Sequence, residues 1–359
     1  MNATACFESL AAWLDTHADA LDAQASRASD VLPQLVHGRV VGVGVPEALG
    51  GAGGTIADAI DTVAAVAEHS LTAAFVLWGH RTFIEYVLQS DNDAFDADIL
   101  PRLLDGGIAG ATGLSNAMKY LSNIEALQMH AARHADGFAL SGGLPWITNL
   151  RREGFIAAAA FDHDDGSPPS IFAIPHDRSG VERSDDLDLI GLRASNTAAL
   201  TVKSTVLDAR HRITADARNW LVRVRPAFLG LQCGMSIGLA RSALLATSQA
   251  GAASRESIRA ETGALEATLA EQTLRLKQGV VDGTFFERPA ALFELRIALV
   301  ETVTRALSLE VQASGGRGYL RNQGGTARRV REASFIPIVT PSLVQLKAQL
   351  AQQRLASAA

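Results

Sequence analysis

The sequence has 359 residues, of which 48% are hydrophobic and 19% are charged. This length allows two or three units with a sizeable core, and the composition is that of an ordinary soluble globular protein. The formal net charge of −6 gives no basic footprint for nucleic acid, so we expect no nucleic-acid partner. The densest basic cluster, Arg328, Arg329 and Arg331, is interpreted as a solvated face.

The cysteine content and the hydropathy pattern indicate the cellular compartment of the protein. Cys6 and Cys233 are too few and too far apart for a disulfide framework or a zinc site, so no metal is expected. The first residues lack the basic and apolar regions of a secretory signal, and no run of about eighteen apolar residues indicates a spanning helix. We therefore expect a cytoplasmic protein with no membrane partner.

The first part of the chain, residues 1–108, has a helical pattern. Leu10 and Leu14 belong to an apolar repeat with a spacing of three and four residues. Thr55 is placed to cap a second helix. A third segment, 72–88, is apolar on most sides, as a helix buried between domains would be. These features predict an N-terminal α-helical domain.

Residues 109–214 change to a period of two. Short apolar runs at 156–161, 171–174 and 198–202 are separated by clusters of Asp, Gly, Pro and Ser. Asp136 and Gly137 form a tight-turn signal between two further strands. The pattern predicts a central β-domain, a barrel or a sandwich.

A helical period returns over residues 215–359 and predicts a four-helix bundle. After the first helix, the others are predicted at about 255–278, from Pro289 onward and at about 341–355. One face of the first helix carries a glycine every four residues, at Gly230, Gly234 and Gly238. Such glycines indicate the close approach of a neighbouring helix or of a ligand, and we favour the helix. The expected fold is α+β multidomain.

Trp146 and Thr148 are the strongest candidates for a cofactor site. Two residues apart on a predicted strand, they present an aromatic ring and a hydroxyl on the same face. A flat redox ring needs such a face, with an apolar surface for stacking and a polar group at its edge. Residues 110–149 are therefore interpreted as one wall of a flavin site.

Four motifs in order resemble those of the acyl-CoA dehydrogenase superfamily. They are the segment 110–149 with its Trp-Ile-Thr, the Val-Pro-Glu-Ala-Leu-Gly-Gly turn at 45–51, the Gly-Leu-Arg-Ala-Ser-Asn-Thr stretch at 191–197, and Gln-Ala-Ser-Gly-Gly-Arg-Gly-Tyr at 312–319. The resemblance covers nearly the whole chain. It implies the α-domain, β-domain and four-helix bundle in that order, and FAD as the cofactor.

The resemblance also implies which residues contact FAD. Trp146 would flank the flavin ring, and the hydroxyl of Thr148 would reach its reactive edge. Thr112 and Ser115 stand in the family's Thr-Glu-Pro-X-X-Gly-Ser turn, although the Glu and the Pro are absent here.

At the other end of the cofactor, the resemblance implies a glycine turn that reaches the pyrophosphate and adenosine from a neighbouring subunit. Gln312, Gly315 and Gly316 match that turn, and backbone N–H groups in such a turn bind anions. A plain helix end followed by a loop is the alternative interpretation. Arg255 is the one residue that could serve for the family's companion arginine.

The sequence departs from the family at the catalytic base. The family's C-terminal Glu removes the α-proton of an acyl thioester, and Thr340 stands in its place, followed by Pro341. Threonine cannot act as a general base near neutral pH. His80 and Glu85, on the buried helix that would face the ligand cavity, are the candidate substitutes.

The leading hypothesis is an FAD-dependent oxidoreductase that oxidises a CH–CH bond of an acyl-CoA or related thioester with an atypical or missing base. A flavin-dependent monooxygenase of the same fold and a non-catalytic flavoprotein are the alternatives. A homo-oligomer, either a dimer or a tetramer, is expected because four long helices leave apolar faces that one chain does not cover.

Overall fold

The N-terminal region is mainly helical. In a computed structural model of the protein, residues 2–320 and 325–358 are described, except for the side chains of 96, 252–255 and 356–358. Six α-helices come first: α1 (Ala3–Ala23), α2 (Ala28–His37), α3 (Ile56–His69), α4 (Leu71–Leu88), α5 (Ala94–Asp98) and α6 (Leu100–Leu104).

The start of α3 shows the predicted cap. The backbone N–H of Asp58 donates to the Thr55 hydroxyl over 3.4 Å, and the Asp58 carboxylate accepts from the Thr55 N–H over 2.7 Å. These reciprocal bonds form a capping box and satisfy two N–H groups at the helix end. The helix therefore begins where the sequence predicts.

Eight strands and one helix follow: β1 (Ala109–Thr112), α7 (Ser115–Leu121), β2 (Met129–His134), β3 (Gly137–Ile147), β4 (Phe155–His163), β5 (Ser170–Pro175), β6 (Val181–Asp186), β7 (Ala198–Leu207) and β8 (Arg212–Thr214). The sheet order is β6-β7-β3-β2-β4-β5-β8, and β1 pairs with β4 in parallel. The β2–β3 hairpin turns between His134 and Gly137, as predicted.

Three strands carry too little signal in the sequence to be identified. β1 consists of small residues, Ala-Gly-Ala-Thr, and is nevertheless buried throughout. β6 reads Val-Glu-Arg-Ser-Asp-Asp, with little apolar alternation, and β8 has three residues. Pairing with longer neighbours stabilises these strands, which is a tertiary effect that local propensity does not report.

Long helices complete the chain. They are α8 (Ala217–Ser248), α9 (Ala252–Val281), α10 (Thr284–Glu287), α11 (Pro289–Ser314), α12 (Thr326–Phe335) and α13 (Leu343–Ala358). The four predicted helices correspond to α8, α9, α11 and α13, whereas α10 and α12 are additional. The mixed fold class, with a sheet and a C-terminal helical region, is confirmed.

The glycine face of α8 packs against α3. A Cβ atom built on Gly234 would lie 2.8 Å from the carbonyl oxygen of Ile60, and one built on Gly238 would lie 2.0 Å from that of Ala64. No side chain fits between helices that approach so closely. The glycines therefore serve the contact between α3 and α8, and the interpretation as a helix contact is confirmed.

Helix α8 is also long and apolar enough to cross a membrane by length and composition. The sequence predicts a bundle helix here and no spanning helix. In the structure, 83% of its most apolar window is buried inside the protein. This burial is typical of the core helix of a soluble protein.

The basic cluster near the C-terminus is not a solvated face. Arg328 and Arg329 are each 7% exposed, and Glu310 and Glu332 are fully buried beside them. Arg328 donates to Glu332 over 3.1 Å, and the Nε of Arg329 donates to Glu310 over 2.9 Å. The expectation of a solvated cluster was wrong for these two arginines, because the folded chain buries carboxylates beside them.

His80 occupies a place in the core rather than in a ligand cavity. Its Nε2 lies 2.9 Å from the Leu103 carbonyl oxygen, and its Nδ1 accepts from the Gly110 N–H over 3.0 Å. Glu85 accepts from Arg81 over 3.0 Å and also bonds Gln89. His80 therefore links α4 to neighbouring segments, whereas Glu85 bonds residues of its own helix and its end. Neither side chain is among the lining residues of the cavity described below, and a catalytic role for either stays a prediction.

Burial of His80 makes the stability of the protein depend on pH. Burial lowers its pKa from 6.5 to about 4, so the unfolded chain binds a proton between these values that the folded chain does not. We expect the free energy of unfolding to fall as pH drops from 6.5 towards 4, by on the order of 3 kcal/mol from this residue. Urea unfolding at a series of pH values measures this loss of stability. An equally steep loss in the His80→Gln variant would contradict its assignment to His80.

Adding one methyl group at the contact between α3 and α8 should destabilise the fold. We expect Gly238→Ala to lower the free energy of unfolding by roughly 1–3 kcal/mol, because the new Cβ overlaps Ala64. Gly263→Ala on α9 is the matched control: nothing lies within 4 Å of its built Cβ, so it should be neutral or stabilising by up to about 1 kcal/mol. If the Gly238→Ala and Gly263→Ala variants unfold at the same denaturant concentration, the packing argument is contradicted.

Candidate active site

A cavity lies where α4, the β1–α7 turn, the end of β3, α8 and the segment after α12 meet. Five aromatic side chains form much of its lining: Phe75, Trp78, Trp146, Phe228 and Phe335. Ligand sites typically combine such apolar walls with a few polar groups. Three separate regions of the chain therefore contribute to one candidate site.

The aromatic rings on the α4 side form a packed wall. The rings of Phe75 and Trp78 stack with centroids 5.6 Å apart and an interplanar angle of 9°. Phe335 lies 4.5 Å from Phe75, and Phe228 lies 5.5 Å from Trp78. Trp146, by contrast, is 44% exposed. Its ring is therefore the aromatic surface of the cavity that remains most open to a planar ligand.

Four hydroxyl groups provide the polar part of the lining, and each has a hydrogen-bond partner. Thr112 Oγ1 lies 2.7 Å from the Tyr86 hydroxyl, and Thr148 Oγ1 lies 3.1 Å from Thr197 Oγ1. Burial raises the pKa of Tyr86 well above its usual range, so this phenol stays protonated. The other two hydroxyls, those of Ser115 and Thr340, bond each other over 2.8 Å.

A buried arginine fixes the segment that carries Thr340. Arg296 on α11 donates to the Val339 carbonyl oxygen over 2.9 Å and also to the side-chain oxygen of Gln232. Gln232 on α8 in turn donates to the Thr340 carbonyl oxygen over 3.0 Å. Burial lowers the pKa of Arg296 to about 10, so the guanidinium remains charged at neutral pH. Helices α8 and α11 together therefore hold this wall in place.

The residues that line the cavity in the described part of the chain include no carboxylate and no imidazole. Cys233 is adjacent to Gln232 in sequence but does not line the cavity, and burial raises its pKa to about 12. General-base catalysis near neutral pH requires a group with a pKa near that range. The described lining offers none.

The structure brings together five of the predicted residues. Thr112, Ser115, Trp146 and Thr148 line the cavity together with Thr340, at the position predicted for the base. These residues come from the β-rich region and from the end of the bundle. Because these residues lie far apart in the sequence, only the folded structure shows that they are neighbours.

The glycine turn predicted to reach the cofactor lies elsewhere. Gly315 begins a short 3-10 helix (Gly315–Tyr319) directly after α11, and within the described part of the chain no atom beyond the adjacent residues lies within 4 Å of a Cβ built on Gly315 or on Gly316. The side chain of Gln312 donates to Ser308 on its own helix. Arg255 belongs to α9, but its side chain lies outside the described residues.

Gly315 is far from the cavity of its own chain. It follows Arg296, which contacts the cavity wall, by nineteen positions, and this corresponds to a rise of roughly 28 Å along the helix. A separate surface cavity lies beside the glycine turn, lined in part by Gln249, Ser314 and Arg317. One chain therefore places its two candidate cofactor regions at opposite ends of α11.

Sequence reasoning missed several residues of the site. Phe75 and Trp78 are three residues apart on a helix, a spacing that could have indicated a shared aromatic face. Arg296 lies four residues after Leu292 and three before Leu299, on the apolar face of α11, and a charged residue at such a position is the signal of a buried polar contact. Phe335 carries no such signal, because its place depends on how α12 ends.

Comparisons with known proteins bear on the fold and the family of the chain. No family model matches the sequence. A probable acyl-CoA dehydrogenase of Bacillus subtilis (strain 168), YngJ, is 25% identical over 326 residues, which cover 83% of this chain and 82% of that protein.

Two solved structures show the same fold over almost the whole chain. A glutaryl-coenzyme A dehydrogenase in complex with glutaryl-CoA aligns with a TM-score of 0.83 and 18% identity, covering 99% of this chain and 95% of that chain. Butyryl-CoA dehydrogenase from Megasphaera elsdenii aligns with a TM-score of 0.80 and 17% identity, covering 99% and 98%. The chain thus has the acyl-CoA dehydrogenase fold, and its curated and structural relatives point to the acyl-CoA dehydrogenase superfamily.

Proposed function

We propose that the protein is a cytoplasmic FAD-dependent oxidoreductase that acts on an acyl-CoA or a related thioester by oxidation of a CH–CH bond. The observation that carries this proposal is the cavity itself, which gathers the aromatic ring of Trp146 and the hydroxyls of Thr112 and Thr148. Relatives described as acyl-CoA dehydrogenases support it.

The residues present fit a flavin. Trp146 offers an open aromatic face for stacking, and Thr148 supplies a hydroxyl at the same cavity. The turn at Gly315 and Gly316 leaves open space where side chains would stand, so backbone N–H groups there can approach phosphate oxygens. FAD, when bound, supplies the acceptor for hydride. The protein's own part is to orient the thioester against the ring and to keep water out.

We further propose that two chains share each cofactor, in a dimer or a tetramer. The aromatic cavity and the glycine turn of one chain are separated by most of α11, so a second chain would bring its turn to the first chain's cavity. Helices α8 and α9 also expose large apolar side chains, with Leu245 59%, Leu274 56% and Val281 59% exposed. Contact with another copy would cover such surfaces.

The missing base favours one alternative reaction. Removal of an α-proton needs a base within reach, and the described lining of the cavity supplies no carboxylate. A flavin-dependent monooxygenase of the same fold does not use that Glu. Against it, relatives of this kind often place a histidine in the C-terminal region, and the last histidine here is His211. A non-catalytic flavoprotein is the third possibility.

The proposed cofactor site can be tested with purified protein. We expect a yellow protein that takes up FAD in preference to FMN, in a dimer or a tetramer, because the two cofactor ends would contact different chains. Absorbance spectra and static light scattering at micromolar concentration measure both properties. Trp146→Ala should weaken FAD uptake, whereas Trp13→Ala, at a residue that does not line the cavity, is the control. Failure to take up either flavin, or a monomer with full flavin occupancy, would contradict the shared site.

The proposed reaction predicts slow chemistry with ordinary substrates. We expect straight-chain acyl-CoAs to reduce the bound flavin slowly or not at all, because loss of a general base lowers a rate by about a hundredfold to ten-thousandfold. Stopped-flow absorbance measures flavin reduction.

Variants at position 340 test whether the missing carboxylate accounts for the slow reduction. Thr340→Glu should restore little activity unless Pro341→Gly accompanies it, because proline restricts the direction of the turn. Thr340→Val, which has a similar shape and no ionisable group, is the control for the substitution itself. Rapid reduction by the unmodified protein would show that another base operates.

A further inference from the structure

The wall of the cavity at Ser115 and Thr340 presents a hydrogen-bond donor. Ser115 donates its hydroxyl hydrogen to Thr340 Oγ1 over 2.8 Å, and both residues line the cavity. A hydroxyl group has one hydrogen and two lone pairs. Because Thr340 already accepts from Ser115, its own hydrogen remains available for an acceptor on a ligand.

A positive charge lies directly behind this wall. Arg296 is 1% exposed, and its described hydrogen bonds go to Gln232 and to the carbonyl oxygens of Ile336 and Val339. All of these acceptors are neutral, and the described residues give Arg296 no ion pair. A buried charge that only dipoles compensate favours an anion nearby more strongly than an exposed charge does.

A second arginine without an ion pair among the described residues lies on the facing helix α8. Arg225 lies one helical turn before Phe228, which lines the cavity, and its guanidinium stacks on the Phe293 ring with a centroid distance of 5.2 Å. No hydrogen bond or ion pair of Arg225 occurs among the described residues. Burial lowers the pKa of this guanidinium. The two arginines therefore lie on the facing helices α8 and α11 without carboxylate partners.

The described lining contains no negatively charged group that would repel an anion. No Asp or Glu belongs to the described lining of the cavity, and the polar side chains there are all hydroxyls. A carboxylate base at Thr340 would neutralise the charge behind the wall, but the chain has none there. A negatively charged ligand can fill this role in its place.

We propose that the Ser115–Thr340 wall, backed by Arg296, is a binding subsite for a carboxylate, so that the substrate is an acyl thioester whose acyl group carries a carboxylate. The inference deepens the proposed function and rests on it. The hydroxyl of Thr340 donates to the carboxylate, and the charge of Arg296 stabilises it across the wall.

Matched pairs of thioesters test the subsite by binding rather than by turnover. Malonyl-CoA and propionyl-CoA differ in a terminal carboxylate at equal chain length, as do succinyl-CoA and butyryl-CoA. Isothermal titration calorimetry of the flavin-loaded protein should show that the carboxylate member of at least one pair binds about tenfold to a hundredfold more tightly, the range for hydrogen bonds to a charged group. Equal affinities within both pairs would overturn the subsite and leave the proposed function standing.

Variants connect the preference to the wall. Thr340→Val and Ser115→Ala should reduce the affinity ratio within the preferred pair towards one, and Arg296→Lys should retain more of it than Arg296→Met. The matched control is Thr247→Val, since this buried hydroxyl bonds its own helix at Ala243 over 2.8 Å. If Arg296→Met does not fold, the two hydroxyl variants decide the question.

An unchanged ratio in Thr340→Val and Ser115→Ala would also overturn the proposal, because another site would then hold the carboxylate. If no thioester of either pair binds, the proposed function fails and the subsite fails with it. That outcome is distinguishable from equal binding within the pairs.

Discussion

The cavity depends on one buried cation. Arg296 reaches from α11 to Gln232 on α8 and to the carbonyl oxygens before Thr340, and it does so without contact with solvent. Placing a charge in a protein interior is costly unless polar groups surround it. The segment after α12 supplies those groups through its backbone. The same contacts that solvate the guanidinium therefore fix the position of Thr340.

Close packing of helices positions the other wall. The glycines of α8 bring its backbone against Ile60 and Ala64 of α3, and α4 follows α3 directly. Phe228, on α8, then meets Trp78 of α4 at the cavity. Glycine lowers helix propensity, but it allows a separation that no larger residue permits. The geometry of the aromatic wall thus follows from a contact remote from the ligand.

The cavity combines features that suit different tasks. Its aromatic part resembles a surface for a planar ring, and its hydroxyl part offers donors without a base. An enzyme that removes an α-proton needs a carboxylate or a comparable group, whereas a site that binds an anion needs donors and a nearby positive charge. The described lining satisfies the second requirement. A few side chains on a shared fold therefore decide whether such a cavity supplies a base or binds an anion.

The sequence by itself determined the order of helical and strand regions, the cap at Thr55 and the hairpin at Gly137, because periodicity and turn chemistry act over a few residues. It also identified Trp146, Thr148 and Thr340 through motifs. Tertiary structure decided that these residues share a cavity, that His80 lies in the core and that Arg329 pairs with a buried Glu310. Those outcomes depend on contacts between residues far apart in the chain, which local patterns do not encode.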